Sequence, residues 1–122
     1  MRLLSVEDLE TLHDLVLEKG GAKGTISPEN LDLIAARVDA WVFDQPRFPD
    51  VFSKAASYAA GLATLHPFTD GNKRTGYLAA VTFLKNNGYF LRHSETAEQM
   101  MLDLAQRRVS LQGFARWLEE NC

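Results

Sequence analysis

Apolar residues along the chain recur three and four positions apart, the spacing of a helix face, and polar residues suited to capping mark where several of these runs begin. Leu9, Leu12, Leu15 and Val16 share one face of a first helix opened by Ser5, with Asp8 three residues on as a short version of the capping box. Gly20 and Gly21 end it. Ser27-Pro28, an N-cap followed by proline at the first helical position, opens a second helix whose stripe is Leu31, Ile34, Val38 and Trp41. Phe43-Asp44-Gln45-Pro46-Arg47-Phe48-Pro49-Asp50 has two prolines, two aromatics and no helical period, and reads as a loop. The next helix, roughly residues 51 to 66, holds Ala55, Ala56, Ala59, Ala60, Gly61 and Ala63. That density of small side chains lets neighbours approach closely and marks it as the central, buried helix. Residues 73 to 86 form a further helix with Leu78, Val81, Phe83 and Leu84 apolar, stopped by Asn87-Gly88. Ser94 caps a helix through about Gln106, and Ser110 caps a last one with Val109 and Phe114 as a hydrophobic staple. The expected fold is all-α, a compact bundle of about six helices in which strands are at most short.

Composition narrows the picture. A chain of 122 residues, 46% hydrophobic, suits one domain with one core, and nothing in it reads as a linker, repeat or low-complexity tract. Met1–Ser5 is too short an apolar run for a secretory leader, and no stretch approaches a membrane span. A formal charge of −3 argues against a nucleic-acid binder, which needs a basic face. Cations gather locally instead, at Lys73-Arg74 and at Arg107-Arg108, the latter read as a solvated helix terminus. The single cysteine, Cys122, excludes a disulfide within the monomer and fits a reducing cytoplasm.

The chemistry is concentrated in His66-Pro67-Phe68-Thr69-Asp70-Gly71-Asn72-Lys73-Arg74. Pro67 disfavours helical geometry in its predecessor, so the preceding helix should stop at His66. An imidazole held at a helix end and aimed into a loop can take a proton from an attacking hydroxyl. Asp70 supplies one hard oxygen suited to Mg²⁺, an ion that takes the rest of its shell from water and nucleotide phosphates. Gly71 permits close approach or positive φ. Asn72 is a favoured N-cap for the next helix, whose free N–H groups and dipole would face an anion. Lys73 adds a point charge, and Arg74 a planar fork for two phosphate oxygens. Cations in a first helical turn oppose its dipole, so something negative should compensate them. Phe68 is expected to anchor the loop in the core and Pro67 to fix its shape.

This run resembles the signature of the Fic/Doc family, His-x-Phe-x-(Asp/Glu)-Gly-Asn-Gly-Arg-x-x-Arg. The chain departs from it at Lys73, where the pattern has glycine, and at Tyr77, where the second arginine would stand. Both departures, with Asn72-Lys73-Arg74-Thr75, resemble the Doc branch, the "death on curing" toxins of toxin–antitoxin modules. Leu12-His13-Asp14, Arg37-Val38 and Phe83-Leu84-x-x-Asn87-Gly88 are also similar to Doc. The resemblance implies transfer of the γ-phosphate of ATP to a threonine of elongation factor Tu, since a lysine would crowd the seat that typical family members use for the α-phosphate of AMP transfer. It further implies His66 as general base, Asp70 as Mg²⁺ ligand, and Lys73 and Arg74 as clamps on the transferring charge. Phe68, Gly71, Asn72, Lys73 and Arg74 would form the nucleotide-binding side, with Asn72 and the first-turn amides as phosphate cradle. ATP and Mg²⁺ are the implied cofactors, and a cognate antitoxin the implied partner. Self-association is left open. In this family a flap before the motif helix holds the target by strand addition, which makes Phe48 a candidate target contact; the alternative is that Phe48 tucks under its own loop.

Thr25-x-x-x-Glu29-Asn30 superficially resembles the inhibitory motif of self-restrained family members, but Ser27-Pro28-Glu29 already reads as a helix start. His13 and His93 lack partners at metal-ligand spacing and are expected in surface or capping roles. Three rival functions stand beside phosphate transfer: AMP transfer to a protein hydroxyl, a non-catalytic module that grips a nucleotide or an antitoxin, and a helix-turn-helix nucleic-acid reader.

Overall fold

The computed structural model describes residues 1–122 and is built of six helices with one two-stranded hairpin. Helix α1 spans Val6–Leu17, α2 Pro28–Arg37, α3 Val51–Leu65, α4 Asn72–Asn86, α5 Ala97–Ala105 and α6 Leu111–Glu120. Strands β1 (Trp41–Val42) and β2 (Gln45–Pro46) pair antiparallel between α2 and α3.

Local capping chemistry explains most helix starts. Ser5 and Asp8 complete a reciprocal capping box on α1, Ser27 accepts from the Asn30 amide at the head of α2, and Ser110 accepts from the Gly113 amide at the head of α6. Asp50 and Ser53 form a second reciprocal box on α3. Ser94 departs from its expected role: α5 starts only at Ala97, and the Ser94 hydroxyl accepts from the Thr96 amide in a local turn.

Helix α3 is the centre of the bundle and packs against α2, α4, α5 and α6. Its alanines are the reason. Ala55, Ala56, Ala59 and Ala63 are fully buried, and Gly61 and Gly76 mark the closest approaches. A Cβ on Gly76 would lie 3.0 Å from the Ala59 carbonyl oxygen, so α4 rides almost backbone to backbone on α3. Around this seam Tyr58, Leu62, Phe68, Phe83, Phe114 and Leu118 complete the core, each large side chain contributing about 1.5–3 kcal/mol. The Tyr58 hydroxyl accepts from the Leu4 amide (2.7 Å) and donates to the Leu4 carbonyl (3.0 Å), which pins the N-terminal segment to α3. Burial pushes that phenol up to about 12.

Two positions of the expected stripes lie outside the core. Leu15 is half exposed because α1 has only α2 and α4 as neighbours. Trp41 is 65% exposed because α2 ends at Arg37 and the chain turns into the hairpin. The hairpin turn, Phe43-Asp44, has positive φ at both residues (50° and 62°), the geometry of a type I′ turn built without glycine. Phe48 is only 3% exposed, with the Arg47 guanidinium 5.1 Å over its ring. It therefore tucks under its loop, and the reading of Phe48 as a target contact is corrected. The exposed apolar positions of the flap are Trp41, Val42 and Phe43.

Candidate active site

The loop between α3 and α4 is held from both sides by main-chain and amide hydrogen bonds. Helix α3 stops at Leu65, and His66 takes a left-handed conformation (φ 45°, ψ 60°) that only a fixed surrounding would impose on a non-glycine residue. The imidazole is exposed. Asn30 donates to the Leu65 carbonyl (2.9 Å) and so satisfies a carbonyl at the end of α3. Beyond His66 the Pro67 carbonyl accepts from the Ile26 and Ser27 amides, Thr25 bridges Phe68, and the Thr69 amide donates to Gly24. One rim of the loop is thus a short antiparallel pairing with the α1–α2 connection.

Phe68 and Asn72 act inside this loop. Phe68 is buried and its ring stacks on His13, centroids 3.7 Å apart and 4° from parallel. His13 Nε2 lies 2.8 Å from the Asp70 carbonyl oxygen; since a carbonyl only accepts, Nε2 carries the hydrogen. The surface or capping role expected for His13 is corrected: it is a buried prop of the motif loop. Phe68 likewise serves as the loop's core anchor, and its ring is closed off from any nucleotide. Asn72 is the first residue of α4 and not its N-cap, a place taken by Gly71 in the left-handed region (φ 79°). The Asn72 amide is turned back into the loop, where Oδ1 accepts from the Phe68 amide (3.1 Å) and Nδ2 donates to the Phe68 carbonyl (2.9 Å). Its side chain staples the loop and does not face outward as a phosphate cradle.

The cradle is left to the backbone. No side chain caps α4, and the amides of Asn72, Lys73 and Arg74 lack the carbonyl partners that an upstream turn would supply. Lys73 and Arg74 sit exposed beside them, free of ion pairs, the one ion pair of the chain being Arg108 with Asp103. Asp70 is exposed, with Oδ1 accepting from the Gly71 amide (2.8 Å) and Oδ2 from the Ala22 amide (3.1 Å). The Ala22 and Gly71 amides, then the charges of Arg74 and Lys73, hold its carboxyl below the usual carboxylate range.

The donor set fits one Mg²⁺ shared with a polyphosphate. Asp70 is a single hard oxygen ligand, each of its oxygens accepts only one hydrogen bond, and no cluster of three ligating side chains is assembled. The remaining positions fall to water and phosphate oxygens, the usual state of nucleotide-bound Mg²⁺. A cavity of about 620 Å³ opens beside the cations, between α4 and the start of α5. Lys73, Arg74 and Tyr77 line it on one side, and His93, Met101 and Leu102 with the carboxylates Glu95 and Glu98 on the other. Tyr77, at the position of the pattern's second arginine, is half-buried there, and burial raises its phenol.

The chain belongs to the Fic/Doc family: the family model described as Fic/DOC matches residues 3–84, which covers α1 to α3, the whole motif and all but the last two residues of α4. Two relatives place it beside the Doc branch. It is 33% identical to the protein kinase doc of Escherichia phage P1 over 116 residues, covering 94% of this chain and 91% of that protein. It is 39% identical to the toxin Doc of Mycolicibacterium smegmatis over 88 residues, 70% of this chain and 68% of that one. No helix of the protein is long and apolar enough to cross a membrane.

Sequence reasoning placed His66, Asp70, Gly71, Lys73 and Arg74 close together, and the fold keeps His66, Asp70 and Gly71 in the α3–α4 loop with Lys73 and Arg74 in the first turn of α4. It missed His13 and the Gly20–Gly24 segment, both remote in sequence. The run of glycines at Gly20, Gly21 and Gly24 was the available signal.

Proposed function

We propose that the protein is a Doc-type toxin that transfers the γ-phosphate of ATP to a serine or threonine hydroxyl of a translation factor resembling elongation factor Tu. Inhibition of translation follows, relieved by a cognate antitoxin in the cytoplasm. One observation carries the reading: Lys73 and Arg74 stand exposed and free of ion pairs at a helix start that no side chain caps, directly after an exposed, ionised Asp70. Such a cluster is unfavourable until an anion arrives. The names of the two relatives, a protein kinase and a toxin, support the same direction.

In this reading His66 takes the proton from the target hydroxyl as it attacks the γ-phosphorus, and the bond from the γ-phosphorus to the β–γ bridging oxygen breaks with ADP leaving. Lys73 and Arg74 neutralise the charge that spreads over the equatorial oxygens, and the α4 amides hold the polyphosphate in line. Asp70 would hold Mg²⁺, which would supply positive charge to neutralise the polyphosphate. His13, Phe68 and Asn72 touch no substrate and keep the loop rigid.

The test is transfer of label into a cell lysate from ATP labelled at either the α or the γ position. Label from the γ position alone, abolished by His66→Ala, is the expected result. Label from the α position would make the protein an AMP transferase, and no label from either would favour a binding module. Retention of DNA or RNA at physiological salt would favour the nucleic-acid reader.

A further inference from the structure

The connection from α1 to α2 lies across the motif loop at its most charged point. The Arg74 guanidinium donates through both terminal nitrogens to the Gly20 carbonyl (3.3 Å each), and the Ala22 amide donates to Asp70 Oδ2 (3.1 Å). Two residues on, Gly24 accepts from the Thr69 amide (2.9 Å). Gly20, Gly21 and Gly24 have φ of 111°, 124° and 126°, a region that side chains rarely adopt. Gly21 is the tightest. A Cβ there would lie 3.0 Å from Asp70 Oδ2, 3.1 Å from an Arg74 terminal nitrogen and 2.8 Å from Leu17 Cδ2. The backbone of this strap therefore lies close enough for one peptide amide and one carbonyl to reach the carboxylate and the guanidinium together.

We infer that Gly20–Gly24 is a positioning strap, which sets the directions of Asp70 and Arg74 and thereby the affinity of the loop for a metal-bound polyphosphate. The inference rests on the phosphotransfer reading above and deepens it. The opposite charges of Asp70 and Arg74 would otherwise pair directly at such short range. With the Ala22 amide on one and the Gly20 carbonyl on the other, the two remain apart: no ion pair joins them, and each keeps unused bonding capacity for ligand. Glycine suits position 21 because its φ of 124° strains any side chain, and a Cβ there would press on the ends of Leu17, Asp70 and Arg74 and so redirect the two charged groups.

The experiment compares Gly21→Ala with Gly88→Ala in the full chain. Gly88 also has positive φ (91°) but lies after α4, where a Cβ would meet nothing within 4 Å, so both variants carry backbone strain and only one disturbs the strap. ATP affinity is measured by calorimetry with and without Mg²⁺, and amide hydrogen exchange is followed at Ala22 and Thr69 without nucleotide. Gly21→Ala is expected to weaken Mg²⁺–ATP binding about tenfold relative to Gly88→Ala, with a smaller change when Mg²⁺ is omitted, and to lose protection at Ala22 and Thr69. Equal Mg²⁺–ATP affinities in the two variants would overturn the strap while leaving the phosphotransfer reading intact. Wild-type protein that keeps its Ala22 protection but binds no Mg²⁺–ATP would overturn the phosphotransfer reading, and this inference with it.

Discussion

Replacing Asn72 by alanine separates two roles that the same motif residue could play. Its amide closes two hydrogen bonds on the Phe68 backbone, at 3.1 and 2.9 Å, in a place where both backbone groups are buried. Alanine leaves that N–H and that carbonyl without partners, at about 1–3 kcal/mol for each buried unsatisfied group. Alanine's better helix propensity returns roughly 0.5 kcal/mol. The net loss is about 1.5–5.5 kcal/mol, a large part of the roughly 5–15 kcal/mol available to a domain of this kind. Thermal unfolding should fall by roughly 6–20 °C. The assay is urea and thermal unfolding of nucleotide-free protein by far-ultraviolet circular dichroism. A nucleotide-free midpoint within about 1 °C of wild type, with only nucleotide affinity reduced, would refute the staple and return Asn72 to the phosphate cradle.

Other perturbations follow from the same geometry. His66→Gly should abolish transfer and stabilise the fold by roughly 0.5–1 kcal/mol, because glycine takes the left-handed conformation without a Cβ penalty; denaturant midpoints check it, and a destabilised variant would contradict it. Gly76→Ala pushes against the Ala59 carbonyl and should cost about 1–3 kcal/mol in a urea titration, whereas no loss would mean that α4 rides farther from α3. Tyr58 is held protonated up to about 12 in the folded chain, while the unfolded phenol ionises near about 10. Its contribution is therefore complete below that lower value and is lost as pH rises between the two. Melting temperatures from pH 9 to 11.5 should drop in wild type and drop less in Tyr58→Phe.

The parts of the fold that were legible in the sequence are those whose cause is local. Ser5 with Asp8, Ser27 with Pro28, and Ser110 each act within one helical turn, and each starts a helix as expected. The small residues of α3 likewise announced a close-packed centre. The illegible parts depend on partners far away in the chain. His13 reads as an ordinary polar residue of α1 until Asp70 and Phe68, more than fifty positions on, fold over it. Asn72 matched an N-cap by type, yet Gly71 satisfied the helix entry and freed the amide for the loop. The hairpin escaped notice because Phe43-Asp44 lacks the glycine that usually marks a type I′ turn. At the site, the spacing of His66, Asp70, Lys73 and Arg74 was legible because one short loop and the first turn of the helix after it carry them all. The strap across it was not, since it acts through backbone atoms that a sequence does not distinguish.

The most direct test of phosphotransfer at this loop is intact-mass spectrometry of purified elongation factor Tu after incubation with the protein, Mg²⁺ and ATP. The expected result is a gain of one phosphate group, located by fragmentation to a serine or threonine and absent with His66→Ala. A gain of AMP, or an unmodified factor beside a protein that binds Mg²⁺–ATP normally, would contradict it.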